Sequence, residues 1–466
     1  MARLKAPVGG CTVRMYRHGL GDCFLLAFGV TKQRQKYVLI DCGVLLGTDD
    51  VDRLMADVVN DIRQATGDHL DVLVVTHEHW DHVSGFIQAK EHFDKIAVDQ
   101  VWFAWTENPK NPLARELRER RQAALHGLRI ALQNAAAAPP LFARRIESVS
   151  AFFGPDLGAT GRATTEDAMD WVKQKWKNHR YCDPGGAPLQ IDGLPDVKFY
   201  VLGPPTDSSY IRMSRTSSKG GQVYLDDAKT GQLGFFLAGL GSAPAVRQPF
   251  QEEMRFTPFN EAYHCDPLHP DVSVVANLYS QEAWRQIETD WTGAAGELAL
   301  RLDAHTNNTS LVMAIELGPK DKVMLFAADA QVGNWLSWDT VTWSGEHKEI
   351  TTVDLLSRTV FYKVGHHGSH NATLREKGLE RMTNAELAAF VPVNRNMARQ
   401  MRWRMPHEPL YERLKEKTLG RVVVSDAGLP VASSDAALES FRAQCSETEL
   451  YTDYTVMRWK PRKIGR

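Results

Sequence analysis

The sequence predicts an α/β fold, and three observations carry that prediction. Short runs of aliphatic and β-branched residues, such as LDVLVV at 70–75, are too brief for buried helices and read as strands. Longer stretches between them, 49–65 and 113–135, carry apolar residues at helical spacing. Several of the strands run out into polar and ionisable clusters, the pattern expected where strand ends deliver chemistry to loops.

In chain order, TVRMYRH (12–18) and CFLLAF (23–28) read as strands joined by the turn Gly19, Leu20, Gly21 and Asp22, and KYVLID (36–41) as a third. Residues 49–65 place Val51, Leu54, Met55, Val58, Val59 and Ile62 at helical spacing after an Asp-rich start, a surface helix feeding the strand at 70–75. Beyond it, 86–94 reads as helical and AVDQVWFAW as a strand. In 113–135, Leu113, Leu117, Leu125, Leu128 and Leu132 oppose arginines, which makes an amphipathic helix covering a sheet, with His126 a surface residue on it. VKFYVLGPP (197–205) is a strand, and 280–302 is a helix candidate interrupted at Gly293 and Gly296. From Asp303 strands return in HTNNTSLVMAIEL, KVMLFAADAQ and VFYKVGHHGSHN. Towards the end, 384–391 and 410–417 read as helices, and RVVVSD and DYTVMRW as closing strands. There is no internal repeat, and 135–140 is the one low-complexity tract.

With 466 residues, 43% hydrophobic and 24% charged, the chain has the composition of a globular protein able to bury a sizeable core. No run reaches the ~18 apolar residues of a membrane span, and MARLKAPVGGCTVRMYRHGLGDCF has no apolar signal core, so the expected compartment is the cytoplasm. Six cysteines (Cys11, Cys23, Cys42, Cys182, Cys265, Cys445) without a CxxC pair read as reduced, core-filling thiols. A net charge of −2 argues against wrapping a long duplex but leaves a short or single-stranded nucleic acid open. Basic clusters at Arg395, Arg399, Arg402 and Arg404, and in the tail RWKPRKIGR, read first as solvated faces.

The stretch the rest serves is LDVLVVTHEHWDHVSGF (70–86), where the strand ends in His77, His79, Asp81 and His82. Three imidazoles and a carboxylate offer the neutral nitrogens and anionic oxygen that Zn²⁺, Fe²⁺ and Mn²⁺ accept. Alternation lets His77 and His79 serve one ion while Asp81 and His82, on a turn, serve a second. This HxHxDH pattern resembles the metallo-β-lactamase superfamily. The resemblance implies an αββα sandwich, two mixed β-sheets flanked by helices with the metals at one edge, and here a large insertion.

Within that superfamily, HGLGDCFLL followed by VLIDCG, the VLGPP segment, the Asn307, Asn308 and Ser310 strand start, the strand ending in Ala328-Asp329 and the HHGS loop are similar to the hydrolase domain found with ComEC, the DNA-uptake channel of competent bacteria. Ala328 stands where that pattern has Gly. The resemblance implies two divalent ions, Zn²⁺ or Mn²⁺, held by His77, His79, Asp81, His82 and His366, with Asp329 bridging them. It makes Asp41 an acceptor that orients the histidine loop. His367 then faces substrate, able to bond a phosphoryl oxygen or protonate a leaving group; the duties of His366 and His367 remain exchangeable, and His305 as a further ligand remains open. Asp81, His367 and Asp41 are thus the working residues of a reaction driven by a metal-bridging hydroxide.

The expected organisation is a first half-domain at 1–205, an insertion at 206–303 and a second half-domain with an extension at 304–466. The insertion reads as a lid or specificity element, with Phe235, Phe236, Phe256, Phe259 and Tyr263 forming either an apolar wall or the insertion's own small core. Three functions follow. The first is a phosphodiesterase or nuclease acting on short or single-stranded nucleic acid or a small phosphodiester. The second is a hydrolase of small esters, lactones or amides. The third is a non-catalytic subunit of a bacterial defence or stress system with a protein partner. None involves a membrane.

Overall fold

The computed structural model describes residues 3–134, 151–154, 163–213 and 290–457. The five aromatics named for the insertion, Cys265 and the basic tail lie outside the described residues. The described residues form fourteen strands: β1 Cys11–Tyr16, β2 Phe24–Gly29, β3 Gln35–Ile40, β4 His69–Val75, β5 Ala97–Ala104, β6 His179–Cys182, β7 Lys198–Gly203, β8 Val312–Glu316, β9 Val323–Phe326, β10 Thr359–Lys363, β11 Ala388–Val391, β12 Val422–Val424, β13 Cys445–Glu447 and β14 Tyr451–Val456. They form an eight-stranded sheet in the order β13-β14-β1-β2-β3-β4-β5-β6 and a six-stranded sheet in the order β12-β11-β10-β9-β8-β7.

Both sheets are mixed, and they are built alike. β1, β2 and β3 run antiparallel and β3 to β6 parallel; β7, β8 and β9 run antiparallel and β9 to β12 parallel. The sequence shows no repeat, yet the topology repeats. Strands β3 and β4 therefore correspond to β9 and β10, and each of the four is followed by a loop carrying ionisable residues.

The sheets face each other through an apolar layer in which Phe24, Leu26, Val74 and Trp102 meet Phe199, Met313, Phe326 and Phe361. Aromatic edges interlock there: Phe24 and Phe326 have ring centroids 5.8 Å apart, Trp102 and Phe199 5.1 Å. Val58, Ile62, Phe86 and Phe93 cover the outer face of the first sheet, and Trp335, Leu355, Leu379 and Leu414 that of the second. This is the four-layer αββα sandwich. Burial on both faces explains why VLVV shows a continuous apolar run rather than alternation.

Three sequence expectations are corrected. Residues 384–391 do not form a helix; Ala388–Val391 is a strand between β10 and β12, since the apolar run stops at Pro392 after too few residues to sustain helical turns. The segment beginning at Asp303 opens as helix, because Asp290–Asn308 runs unbroken past Gly293 and Gly296 and the strand starts only at Val312. Thr306 bonds back to the Leu302 carbonyl at 2.9 Å, and Asn308 ends the helix by donating to the carbonyls of Ile211 and Met213 at 3.1 and 2.8 Å. That helix crosses the boundary drawn at 303. The span 86–94 splits into Gly85–Gln88 and Lys90–Phe93.

Cys11, Cys23, Cys42 and Cys182 are buried free thiols, as core filling requires. Among the described residues no helix is long and apolar enough to cross a membrane. One polar tie stands inside the first layer. Arg14 of β1 reaches Asp61 of helix Val51–Thr66 at 2.6 Å and Asp453 of β14 at 2.7 Å, and the Tyr16 hydroxyl donates to Asp61 at 2.7 Å. Truncating one partner strands the others in a low dielectric. Asp61→Ala is expected to lower unfolding stability by about 3 kcal/mol in urea titration, whereas a loss under 1 kcal/mol would show the tie to be incidental.

Candidate metal centre

β4 ends at Val75, and Thr76 turns the chain towards Asp41 at the end of β3. Thr76 donates to the Asp41 carboxylate through its backbone N–H at 2.8 Å and its hydroxyl at 2.6 Å, and His82 Nδ1 lies 2.8 Å from the same group. An ionised carboxylate only accepts, so Nδ1 of His82 carries the ring proton and Nε2 presents a lone pair. That Nε2 lies 3.2 Å from Asp329 Oδ2 and 3.8 Å from Asp81 Oδ2. His367 is set the same way: its Nδ1 donates to the Pro392 carbonyl at 2.7 Å, leaving Nε2 2.8 Å from Asp81 Oδ2 and 3.7 Å from Asp329 Oδ2.

Asp22, His82, Asp329 and His367, all buried, each bring one ligand atom to a spot where those atoms lie within 4.8 Å of one another. Of the two adjacent histidines it is His367, not His366, that joins this group. A second convergence lies beside it, with His77 Nε2 and His79 Nδ1 3.2 Å apart. Asp41 stands behind His82. His305 is turned away, its ring bonded to the backbone at Arg212 and its pKa pushed down to about 4 by burial; His126 is exposed.

The donor set fits a cation. Asp22 Oδ1, His79 Nε2, Asp81 Oδ1, His82 Nε2, Asp303 Oδ1, Asp329 Oδ2 and His366 Nε2 are buried and have no hydrogen-bond partner. Each such atom alone costs on the order of 1–3 kcal/mol, and the carboxylate oxygens with the imidazole nitrogens of His79 and His82 among them form a nest that divalent ions would satisfy.

The electrostatics reflect this crowding. Burial works against ionising Asp329, yet His82, Lys363 and His367 hold its carboxyl well below the ordinary range. Burial likewise opposes protonating His82, but Asp329, Asp22, Asp81 and Asp41 raise its pKa well above the usual value. Burial lowers His77, and takes His79 down to about 3 and His366 down to about 4. Asp303, on helix Asp290–Asn308, is pushed up to about 8 by burial and by the charges of Asp329 and Asp81.

Four residues shape the site without having been read as members of it. Asp22, Lys363, Asp303 and Gln331 come from separate parts of the chain. Lys363 of β10 is 1% exposed and pairs with Asp22 and, at 3.2 Å, with Asp329 Oδ1. Two signals were present: the Gly-Asp turn before β2, and a lysine inside the apolar strand TVFYKV. Around the site, Arg121 of helix Pro112–Asn134 grips Glu78 through its carboxylate at 2.6 Å and its carbonyl at 2.9 Å, tying that helix to the metal loop. Phe152 packs against the rings of His79 and His366, with centroids 5.9 and 5.5 Å away, and stacks on Trp403 at 4.6 Å.

These loops are pressed together backbone to backbone: a Cβ on Gly43 would meet the backbone nitrogen of His82 at 2.4 Å. Residues 17–149 match the family model of the metallo-beta-lactamase superfamily. The matched span holds Asp22, Asp41 and the histidine loop, while Asp329 and His367 come from the second half of the same sandwich. No curated protein matches the chain.

The metallo-beta-lactamase-like edge is also where the backbone is strained. Of the nine non-glycine residues with positive φ among those described, Asp41, Ala328, His366 and His367 all border the cluster, at 55°, 45°, 43° and 54°. Ala328 has no polar reason to be there, and a left-handed Cβ costs about 1–2 kcal/mol. Ala328→Gly is expected to raise unfolding stability by about 1 kcal/mol without changing metal content; lower stability would contradict the strained geometry.

Proposed function

We propose that this protein is a binuclear metal-dependent phosphodiesterase of the ComEC type, acting on nucleic acid. A metal-dependent hydrolase is what the superfamily match and the metal cluster together suggest. The finer reading rests on one observation, the balance of buried charge. Asp22, Asp41, Asp81 and Asp329 are all at most 2% exposed, and against them stands Lys363. With the histidines neutral, as ion-bound imidazoles are, the group carries three net negative charges. One divalent ion leaves it negative; two leave it positive by one, the charge that receives a phosphodiester anion.

In this reading His77 and His79 would hold one ion and Asp81, His82 and His367 the other, and Asp329 would serve as a further carboxylate ligand. Bound divalent ions supply a more acidic water as nucleophile and neutralise charge on the phosphoryl oxygens. The chain's own residues do the rest. Asp41 and the Pro392 carbonyl fix the tautomers of His82 and His367, Lys363 with Asp22 holds the second oxygen of Asp329, and Phe152 with Trp403 walls the cleft against water.

A polymeric anion is favoured by what surrounds Trp403. Residues 401–407 pack on the histidine turn, with His407 N–H donating to the Gly368 carbonyl at 2.8 Å. Arg399, Arg402 and Arg404 are exposed there, and among the described residues none has an acidic partner, whereas Arg395 is spent on Asp426 at 2.9 Å. An aromatic ring flanked by unpaired arginines suits a single strand, stacking a base and meeting phosphates.

Metal-loaded protein assayed on bis(p-nitrophenyl) phosphate, single-stranded DNA, RNA and a lactone panel decides between substrates. Phosphodiester turnover is expected, falling at least ~100-fold in Asp81→Asn and Asp329→Asn. Turnover confined to lactones, or both variants near wild type at limiting metal, would refute the reading.

A further inference from the structure

The two histidines of the Gly365–Gly368 turn are held by partners of opposite character. His367 Nδ1 faces a carbonyl, which only accepts, so Nδ1 carries a proton and Nε2, 2.8 Å from the Asp81 carboxylate and inside the four-residue cluster, is the nitrogen left to take an ion. His366 Nδ1 lies 3.2 Å from Gln331 Nε2, an amide nitrogen that only donates. His366 Nδ1 is therefore the acceptor, and in the neutral ring the proton sits on Nε2, which is buried and has no partner.

Gln331 takes its direction from a chain of hydrogen bonds. Its Oε1 accepts from Asn371 Nδ2 at 2.8 Å, and Asn371 Oδ1 in turn accepts from the Ser369 hydroxyl at 2.9 Å. Consecutive left-handed residues splay the two rings, with centroids 5.8 Å apart and planes at 60°. His366 rests on Phe152, the ring that stacks on Trp403.

We infer that His366 is the hydrogen-bond donor to the substrate's anionic oxygen rather than a metal ligand, and that Gln331 is the positioning residue that puts the proton on Nε2. A nitrogen that carries a proton has no lone pair for a cation, while a buried N–H without an acceptor is completed by an oxyanion. His366 lies on the Trp403 side of the cluster, where the arginine rim would bring a phosphodiester. The inference deepens the hydrolase reading above and rests on it for the identity of the oxygen.

The test counts ions and measures phosphate binding. Wild type, His366→Ala, His366→Gln, His367→Ala and Gln331→Glu are reconstituted with Mn²⁺, assayed for metal by elemental analysis and titrated calorimetrically with inorganic phosphate. His366→Ala should keep the wild-type ion count and bind phosphate about tenfold or more weakly. His366→Gln should recover part of that affinity, since its side-chain amide donates. His367→Ala should lose one ion. In Gln331→Glu the new carboxylate draws the proton to Nδ1, and phosphate binding should fall although His366 is present. Loss of an ion from His366→Ala, phosphate binding by that variant equal to wild type, or a loaded wild type that does not bind phosphate would each overturn the assignment. Turnover of phosphodiesters by wild type tests the hydrolase reading separately, since the ion counts of the two histidine variants sort ligand from donor even in a protein with no turnover.

Discussion

The structure depends on one electrostatic constraint: four carboxylates, Asp22, Asp41, Asp81 and Asp329, are gathered where water does not reach. Taking one ionised carboxylate out of water costs several kcal/mol even after relaxation, and the second and third cost more beside the first. Lys363 offsets one of them, Thr76 and the ring proton of His82 offset part of the rest, and several oxygens and imidazole nitrogens stay unsatisfied. Such a cluster is worth keeping only if something cationic enters it. Ions bound to the folded state and not to the unfolded one return that free energy as stability.

The fold makes the gathering possible by repeating one strand arrangement. In each sheet three antiparallel strands lead into a parallel set, so the loops after β3 and β4 open at the same edge as those after β9 and β10. Asp41 and the histidine loop come from the first pair, Asp329 and the His366-His367 turn from the second. The apolar layer of Phe24, Trp102, Phe199, Phe326 and Phe361 holds the two edges in register. The backbone strain at Asp41, Ala328, His366 and His367 is borne by that layer.

What could be read from the sequence follows from how local each signal is. The histidine loop was readable because its ligands lie within six positions behind a β-branched run, and the strands around it because each is short, apolar and punctuated by turns. Asp22 and Lys363 were not, because they meet across 341 residues and nothing near either names the other. Asp303 and Gln331 stand apart in sequence, and the helix that carries Asp303 runs on through 303–308, a segment that reads as the start of a strand because HTNNTS lacks the apolar spacing that marks a helix. The strand at Ala388–Val391 was mistaken for a helix because LAAF carries no β-branched residue and only its neighbours β10 and β12 make it extended. The sorting of His366 from His367 is beyond any sequence pattern, being decided by whether a carbonyl or an amide nitrogen faces Nδ1.

Calorimetric titration of metal-free protein with Mn²⁺ decides whether this buried charge holds two divalent ions. Two equivalents per chain, with a rise in thermal midpoint that follows saturation of the second, is the predicted result. Saturation at one equivalent or fewer, or uptake with no change in stability, would contradict it.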